Sequence, residues 1–267
     1  MSDLAEFSRT NFTHAGVQRD VYRRGEGPGV LVMHEIPGIT PQVAAFGSRL
    51  ADAGFSVFMP TLFGTPGRPM SFPYLGQQFA RACIRREFRV LAANESSPIT
   101  EWLRALARYI HQEIGGHGVG AVGMCLTGNF ALTLAMDEIL RAPVLSQPSL
   151  PFSVGQARRR GLHLSPDQLQ RLKERTSKDG LQVLGLRFQG DPLCPPERFE
   201  TLRTELGSAF EGIELPAESG NPAGNKPAHS VLTTDLIDEE GEPTRAALDR
   251  VLAFLREQLL DPGATPT

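Results

Sequence analysis

Cysteine is scarce in this chain of 267 residues: Cys83, Cys125 and Cys194 are its three, with no metal-ligand spacing among them. An odd, widely spaced set argues against a disulfide framework and predicts a reducing compartment, with the cytoplasm as the expected location. Long hydrophobic runs are also missing. No apolar stretch approaches the ~20 residues that cross a bilayer, and the opening Met1-Ser2-Asp3-Leu4-Ala5-Glu6 lacks the apolar core of a signal peptide. No membrane association is therefore expected. Neither sign of charge is in excess, with 27 Lys and Arg against 30 Asp and Glu, so nothing draws the protein to nucleic acid. The short basic run Arg158 to Arg160 reads as a solvated turn. There is no internal repeat and no break in composition, which predicts one domain over 1–267, a monomer or weak homo-oligomer.

What the chain does have is an alternation of short apolar runs with longer amphipathic ones, the pattern of a mostly parallel sheet flanked by helices. Buried strands are expected at Gly29 to Met33, Phe55 to Met59, Val119 to Gly123, Arg141 to Ser146 and Leu181 to Phe188, with a short one at Gly212 to Leu215. Helices are expected from Pro41, capped by Thr40, to about Ala53, and from Thr100 to about Ile114. Others should span Leu126 to about Leu140, Ser165 to about Lys178, Pro195 to Leu206 and Pro243 to Leu260. The stretch 60–98 is less regular, rich in Pro and Gly at first, with a helix expected over Gln77 to Val90. Such an excursion after a strand often overhangs a site. Residues 261–267 should fray.

The chemistry concentrates in Gly120-Ala121-Val122-Gly123-Met124-Cys125-Leu126-Thr127-Gly128. An apolar strand runs straight into a helix, with a nucleophilic side chain among small residues at the turn. Such a turn lifts the side chain above the sheet, and the helix N-terminus beyond it favours a thiolate and can hold an oxyanion. Alone, the segment is equally compatible with a buried structural cysteine. Asp191, in Gln189-Gly190-Asp191-Pro192 after a strand, and His229, in Pro227-Ala228-His229-Ser230, follow in the order nucleophile, acid, histidine. Both lie at carboxyl ends of strands, where ligand sites in open α/β sheets gather. Glu35 follows another buried strand and should sit at the same sheet edge, within reach of the thiol. The backbone N–H groups of Ile36 and Leu126 are the candidate oxyanion donors.

Taken together, His34-Glu35-Ile36-Pro37-Gly38, the elbow Gly123-Met124-Cys125-Leu126, Gly190-Asp191 and Ala228-His229-Ser230 resemble the dienelactone hydrolase family, the cysteine-nucleophile branch of the α/β-hydrolases. The resemblance implies an α/β-hydrolase fold with helices on both faces of the sheet. It further implies hydrolysis of a lactone or activated ester through a thioester, with Cys125, Asp191 and His229 as triad and Glu35 controlling the thiol. No cofactor or metal is implied; the expected partner is a small ester or lactone. Two positions depart from the family pattern. Thr127 stands where the elbow usually has glycine, and Ser230-Val231-Leu232-Thr233-Thr234 carries no arginine for a substrate carboxylate, leaving Arg81, Arg85 and Arg86 as candidates. Two other readings stay open: a thioesterase or carboxylesterase on the same scaffold, and a catalytically weak relative that binds a small ligand or a partner.

Overall fold

A computed structural model of the chain describes residues 4–71, 73–78 and 97–260. Eight strands form one sheet: β1 (Ser8–His14), β2 (Val17–Arg24), β3 (Gly29–Met33), β4 (Ser56–Pro60), β5 (Val119–Met124), β6 (Leu140–Ser146), β7 (Val183–Phe188) and β8 (Phe210–Leu215). Their order is β1-β2-β4-β3-β5-β6-β7-β8. From β4 to β8 across the sheet every pairing is parallel, while β1 and β2 join antiparallel at one edge. All residues of β3, β4, β5 and β7 are buried. Burial on both faces is why these strands read as unbroken apolar runs rather than alternating ones.

The strands' side chains divide between two cores. Leu31, Met33, Ala121 and Val183 pack with Trp102 and Leu106 of α2 (Pro98–Ile114), Phe130 of α3 (Phe130–Leu134), and Phe199 and Leu202 of α6 (Pro196–Leu206). Val30, Val32, Val122 and Leu186 face the other way, against Phe46 and Leu50 of α1 (Pro41–Asp52) and Val251 and Phe254 of α7 (Pro243–Leu259). This is the α/β-hydrolase arrangement, with helices on both faces. The caps read from the sequence are present: the Thr40 hydroxyl accepts from Val43 N at 3.3 Å, and Ser165 caps α5 (Pro166–Lys178).

Two expectations are corrected. The helix placed from Leu126 to about Leu140 is instead a single 3-10 turn at Cys125–Thr127 followed by the short α3, and β6 already begins at Leu140. The cause lies forty residues downstream in the fold's own wiring. The guanidinium of Arg175, buried on α5, donates to the carbonyls of Ala135 and Asp137, both at 2.7 Å, and of Leu140 at 3.0 Å. Those carbonyls are turned to the arginine instead of continuing a helical ladder. The basic run is the second correction: it closes α4 (Gln156–Arg160), and Arg159 pairs with Glu197 at 2.8 Å. The edge hairpin β1–β2 was not anticipated because it is mostly polar, β1 largely exposed and β2 half-buried, with no apolar run to announce it. Of the helix expected over Gln77 to Val90 only the start is described, residues 73–78 being helical; the remainder, and the tail 261–267, lie outside the described residues.

Arg198 of α6 fixes the segment that leaves β6. It is buried and donates to the carbonyls of Pro148 and Pro151 at 2.6 Å, Gly161 at 3.0 Å and Arg158 at 3.1 Å. Because the Pro148, Pro151 and Gly161 carbonyls would be left without this donor, Arg198→Met is expected to lower stability by ~3 kcal/mol, read as the shift of a urea unfolding curve.

Candidate active site

The carboxyl ends of β3, β5, β7 and β8 converge on a pocket of about 820 Å³. Cys125 sits where β5 turns into the 3-10 helix, with φ +53°. A left-handed backbone is costly for a residue with a side chain, and the surroundings must hold it there. They do so in two ways. A Cβ on Gly123 would lie 2.3 Å from the Thr127 carbonyl oxygen, and one on Gly128 would lie 2.5 Å from Pro148 Cα, so the small residues flanking Cys125 are required by close backbone approach. The carbonyl of Cys125 also accepts from Ser149 N at 2.9 Å and Gly128 N at 3.0 Å.

Thr127 is the third element of that hold. Its hydroxyl accepts from Met124 N at 2.9 Å and donates to Met33 O at 2.7 Å. The side chain that departs from the family glycine thus pins the elbow to the end of β3. Thr127→Val keeps the shape but leaves a buried N–H unpaired and a carbonyl short of its donor. It is expected to cost ~2 kcal/mol in denaturant unfolding, with Thr127→Ser retaining most of the stability.

His229 and Asp191 form the second group. His229 Nδ1 and Asp191 Oδ2 are 2.7 Å apart, and Asp191 Oδ1 accepts from Leu193 N at 2.9 Å, which orients the carboxylate. With Nδ1 serving Asp191, the other ring nitrogen, Nε2, is left for the thiol; it is buried with no well-formed hydrogen bond. Burial acts to lower the His229 pKa. The neighbouring Cys125 and the hydrogen bond and charge of Asp191 outweigh it and hold the imidazole well above the ordinary histidine value. Cys125, His229 and Asp191 all line the pocket.

Ile36 and Leu126 also line the pocket, and among the described residues neither backbone N–H has an acceptor. The loop carrying Ile36 is anchored by His34, whose Nε2 accepts from Leu62 N at 3.0 Å while Nδ1 bonds Glu35 O at 3.0 Å. Burial depresses the His34 pKa to about 4, so the ring is a neutral structural pin.

Glu35 is buried, and its bonds are not to the thiol. Oε2 accepts from Ser230 Oγ at 2.7 Å and Gln147 Nε2 at 3.2 Å, and Oε1 accepts from Thr233 Oγ1. Ser230, Thr233 and Gln147 are the residues that sequence reading missed. Ser230 was read only as part of the histidine motif and Thr233 only in a stretch considered for arginine, and a buried glutamine after β6 leaves no local signal. Burial raises the Glu35 pKa against the lowering effect of the hydroxyl donors and of His229. A carboxyl whose pKa rises on folding favours the native state most below its unfolded value of about 4.5, and that contribution is lost as pH rises. The deficit of Glu35→Gln relative to wild type should therefore shrink as pH rises above 4.5, which a series of thermal melts at increasing pH would measure.

Met70, Ser71, Leu75 and Gly76, from the excursion after β4, cover the pocket together with Phe152 and Leu193. Lys226 is the one Lys or Arg in the lining among the described residues; Arg81, Arg85 and Arg86 lie outside them. The described residues hold no cluster suited to a metal ion and no helix long and apolar enough to cross a membrane.

Residues 18–157, just over half of the chain, match the family model described as the dienelactone hydrolase family. The chain belongs to the dienelactone hydrolase family. It is a hydrolase of the lactone or ester kind. Within the matched span lie Glu35 and Cys125; Asp191 and His229 follow it in sequence. A candidate carboxymethylenebutenolidase of Saccharomyces cerevisiae is 26% identical over 197 residues, 73% of this chain and 69% of its own. Among solved structures, a candidate dienelactone hydrolase of Klebsiella pneumoniae superposes with TM-score 0.62 at 22% identity, over 94% of this hydrolase and 98% of that chain. The dienelactone hydrolase of Anabaena variabilis gives 0.58 at 13% identity, over 95% and 99%. A dienelactone hydrolase-like promiscuous phosphotriesterase from metagenomic libraries gives 0.59 at 17%, over 95% and 98%. At these identities the superpositions bear on the fold.

Proposed function

We propose that this hydrolase opens a lactone or activated ester through a covalent thioester on Cys125. The observation that carries the reading is a left-handed cysteine at the end of a central strand, facing a histidine whose far nitrogen is held by Asp191 at 2.7 Å. His229 takes the Cys125 thiol proton as Sγ attacks the carbonyl carbon, and the oxygen takes the negative charge against the N–H groups of Ile36 and Leu126. Collapse breaks the acyl carbon–oxygen bond, and His229 gives its proton to the departing alkoxide. In a lactone that oxygen stays on the same molecule. Water then adds to the thioester as His229 takes its proton, and the carboxylic acid leaves with the thiol restored. Asp191 keeps the ring in register throughout. Glu35, clamped by Ser230, Thr233 and Gln147, acts through that network on the histidine loop. A free, partly accessible thiol suits a reducing cytoplasm.

The name of the yeast relative makes carboxymethylenebutenolide the first lactone to try, beside an activated aryl ester. Cys125→Ala should lower turnover of whichever is hydrolysed by on the order of a thousand-fold or more, with loss of the acyl-enzyme mass seen on quenching. Cys194 is a built-in control, because burial pushes its thiol up to about 12 and keeps it unreactive. Wild-type turnover in Cys125→Ala would sink the mechanism.

A further inference from the structure

The loop that carries His229 has no regular secondary structure to hold it, yet it must place the ring to within tenths of an ångström. Beneath it lies Asp235, fully buried. Its Oδ2 accepts from His229 N at 2.8 Å, Ser230 N at 2.7 Å and Asn225 Nδ2 at 2.7 Å, and its Oδ1 accepts from Asn225 N at 2.6 Å. Its own backbone closes the same loop, accepting from Asn221 N at 2.9 Å and donating to Ser230 O at 3.0 Å. Among the described residues no Lys, Arg or His pairs with this carboxylate. Its oxygens serve as a template for N–H groups, and four donors on a charged acceptor make a stiff one.

The template has two sides. One is the backbone of His229 and Ser230; the other is the turn of Gly224 and Asn225, which with Lys226 forms a wall of the pocket. The turn lies directly on the carboxylate, since a Cβ on Gly224 would be 2.0 Å from Asp235 Oδ1. Ala228 and Val231 on either side of the His229–Ser230 pair pack into the second hydrophobic core, whereas Gly224 and Asn225 belong to neither core. We propose that Asp235 is the positioning residue of the histidine loop: it sets His229 against Cys125 and locks the Gly224–Lys226 wall to it, so that ring and wall form one rigid unit. This inference rests on His229 being the proton relay of the proposed reaction.

The test uses the full-length protein, an activated aryl ester and iodoacetamide. Asp235→Asn is isosteric, but its NH2 must face either Asn225 N at the Oδ1 position or His229 N, Ser230 N and Asn225 Nδ2 at the Oδ2 position, and the bonds that remain lose their charged acceptor. It is expected to lower kcat ~10- to 100-fold through a small displacement of the ring, and to slow Cys125 alkylation in parallel, while KM changes by less than ~3-fold. Asn225→Ala removes the side-chain bond of the wall to Asp235, keeps the main-chain bond of residue 225, and leaves both backbone bonds to His229 and Ser230, so the wall loosens and KM should rise more than kcat falls. A purely architectural role would shift unfolding midpoints without that split. His229→Gln separates the two levels of the argument. If it is inactive while Asp235→Asn keeps kcat within ~2-fold of wild type, the positioning role is overturned alone. If His229→Gln is as active as wild type, the underlying reading is. Should Asp235→Asn fail to fold, Asn225→Ala decides, and unchanged KM and kcat in it overturn the rigid unit.

Discussion

The Thr127 hydroxyl joins two strand ends that the site cannot do without. β3 and β5 are parallel neighbours, and the chain leaves both at the same edge: one continues into Glu35 and Ile36, the other into Cys125 and Leu126. The sheet hydrogen bonds stop there, and the left-handed turn at Cys125 works against continuing them. By accepting from Met124 N and donating to Met33 O, the threonine extends the ladder by one side-chain rung. The Thr127 bonds and the His34 anchor together hold the segments that carry the Ile36 and Leu126 N–H groups.

Beyond that rung the site is assembled from buried polar groups that satisfy one another. Glu35 comes from the β3 end, Gln147 from the β6 end, and Ser230 and Thr233 from the histidine loop; their hydrogen bonds draw three separate segments together. Such a network is stable only when every member is present, because one missing partner leaves another buried and unpaired. The buried arginines follow the same logic with different acceptors. Arg175 and Arg198 spend their donors on carbonyls of irregular backbone, which lets helix-poor segments lie close to the core without orphaned oxygens.

Much of this was legible in the sequence, and what was legible shares a cause. The parallel strands, the caps at Thr40 and Ser165, and the residues Cys125, Asp191 and His229 are announced by their immediate neighbours: an apolar run, a Ser-Pro-Asp start, a nucleophile between small residues. What escaped depends on partners far away in the chain. The early end of α3 is dictated by Arg175, and the roles of Gln147, Ser230 and Thr233 by Glu35. The β1–β2 hairpin escaped for another reason: its few apolar residues, Phe12, Val17 and Val21, are scattered among polar ones, although they pack against the core. Thr127 lay between these cases. It was visible as a departure from glycine, but its bond to Met33 spans 94 residues.

The pocket divides its labour between two kinds of backbone, and that division bears on how the protein can change over generations. Cys125, Ile36 and Asp191 are presented at the ends of buried strands, where a substitution disturbs the sheet. Met70, Leu75, Phe152 and Leu193 come from connecting segments, and Met70 and Leu193 are partly open to solvent. Mutations can therefore accumulate in the second set at little cost to folding, altering the shape and chemistry of what fits while the polar groups keep their places. Within such a lineage, substrate preference can drift quickly over an unchanging centre.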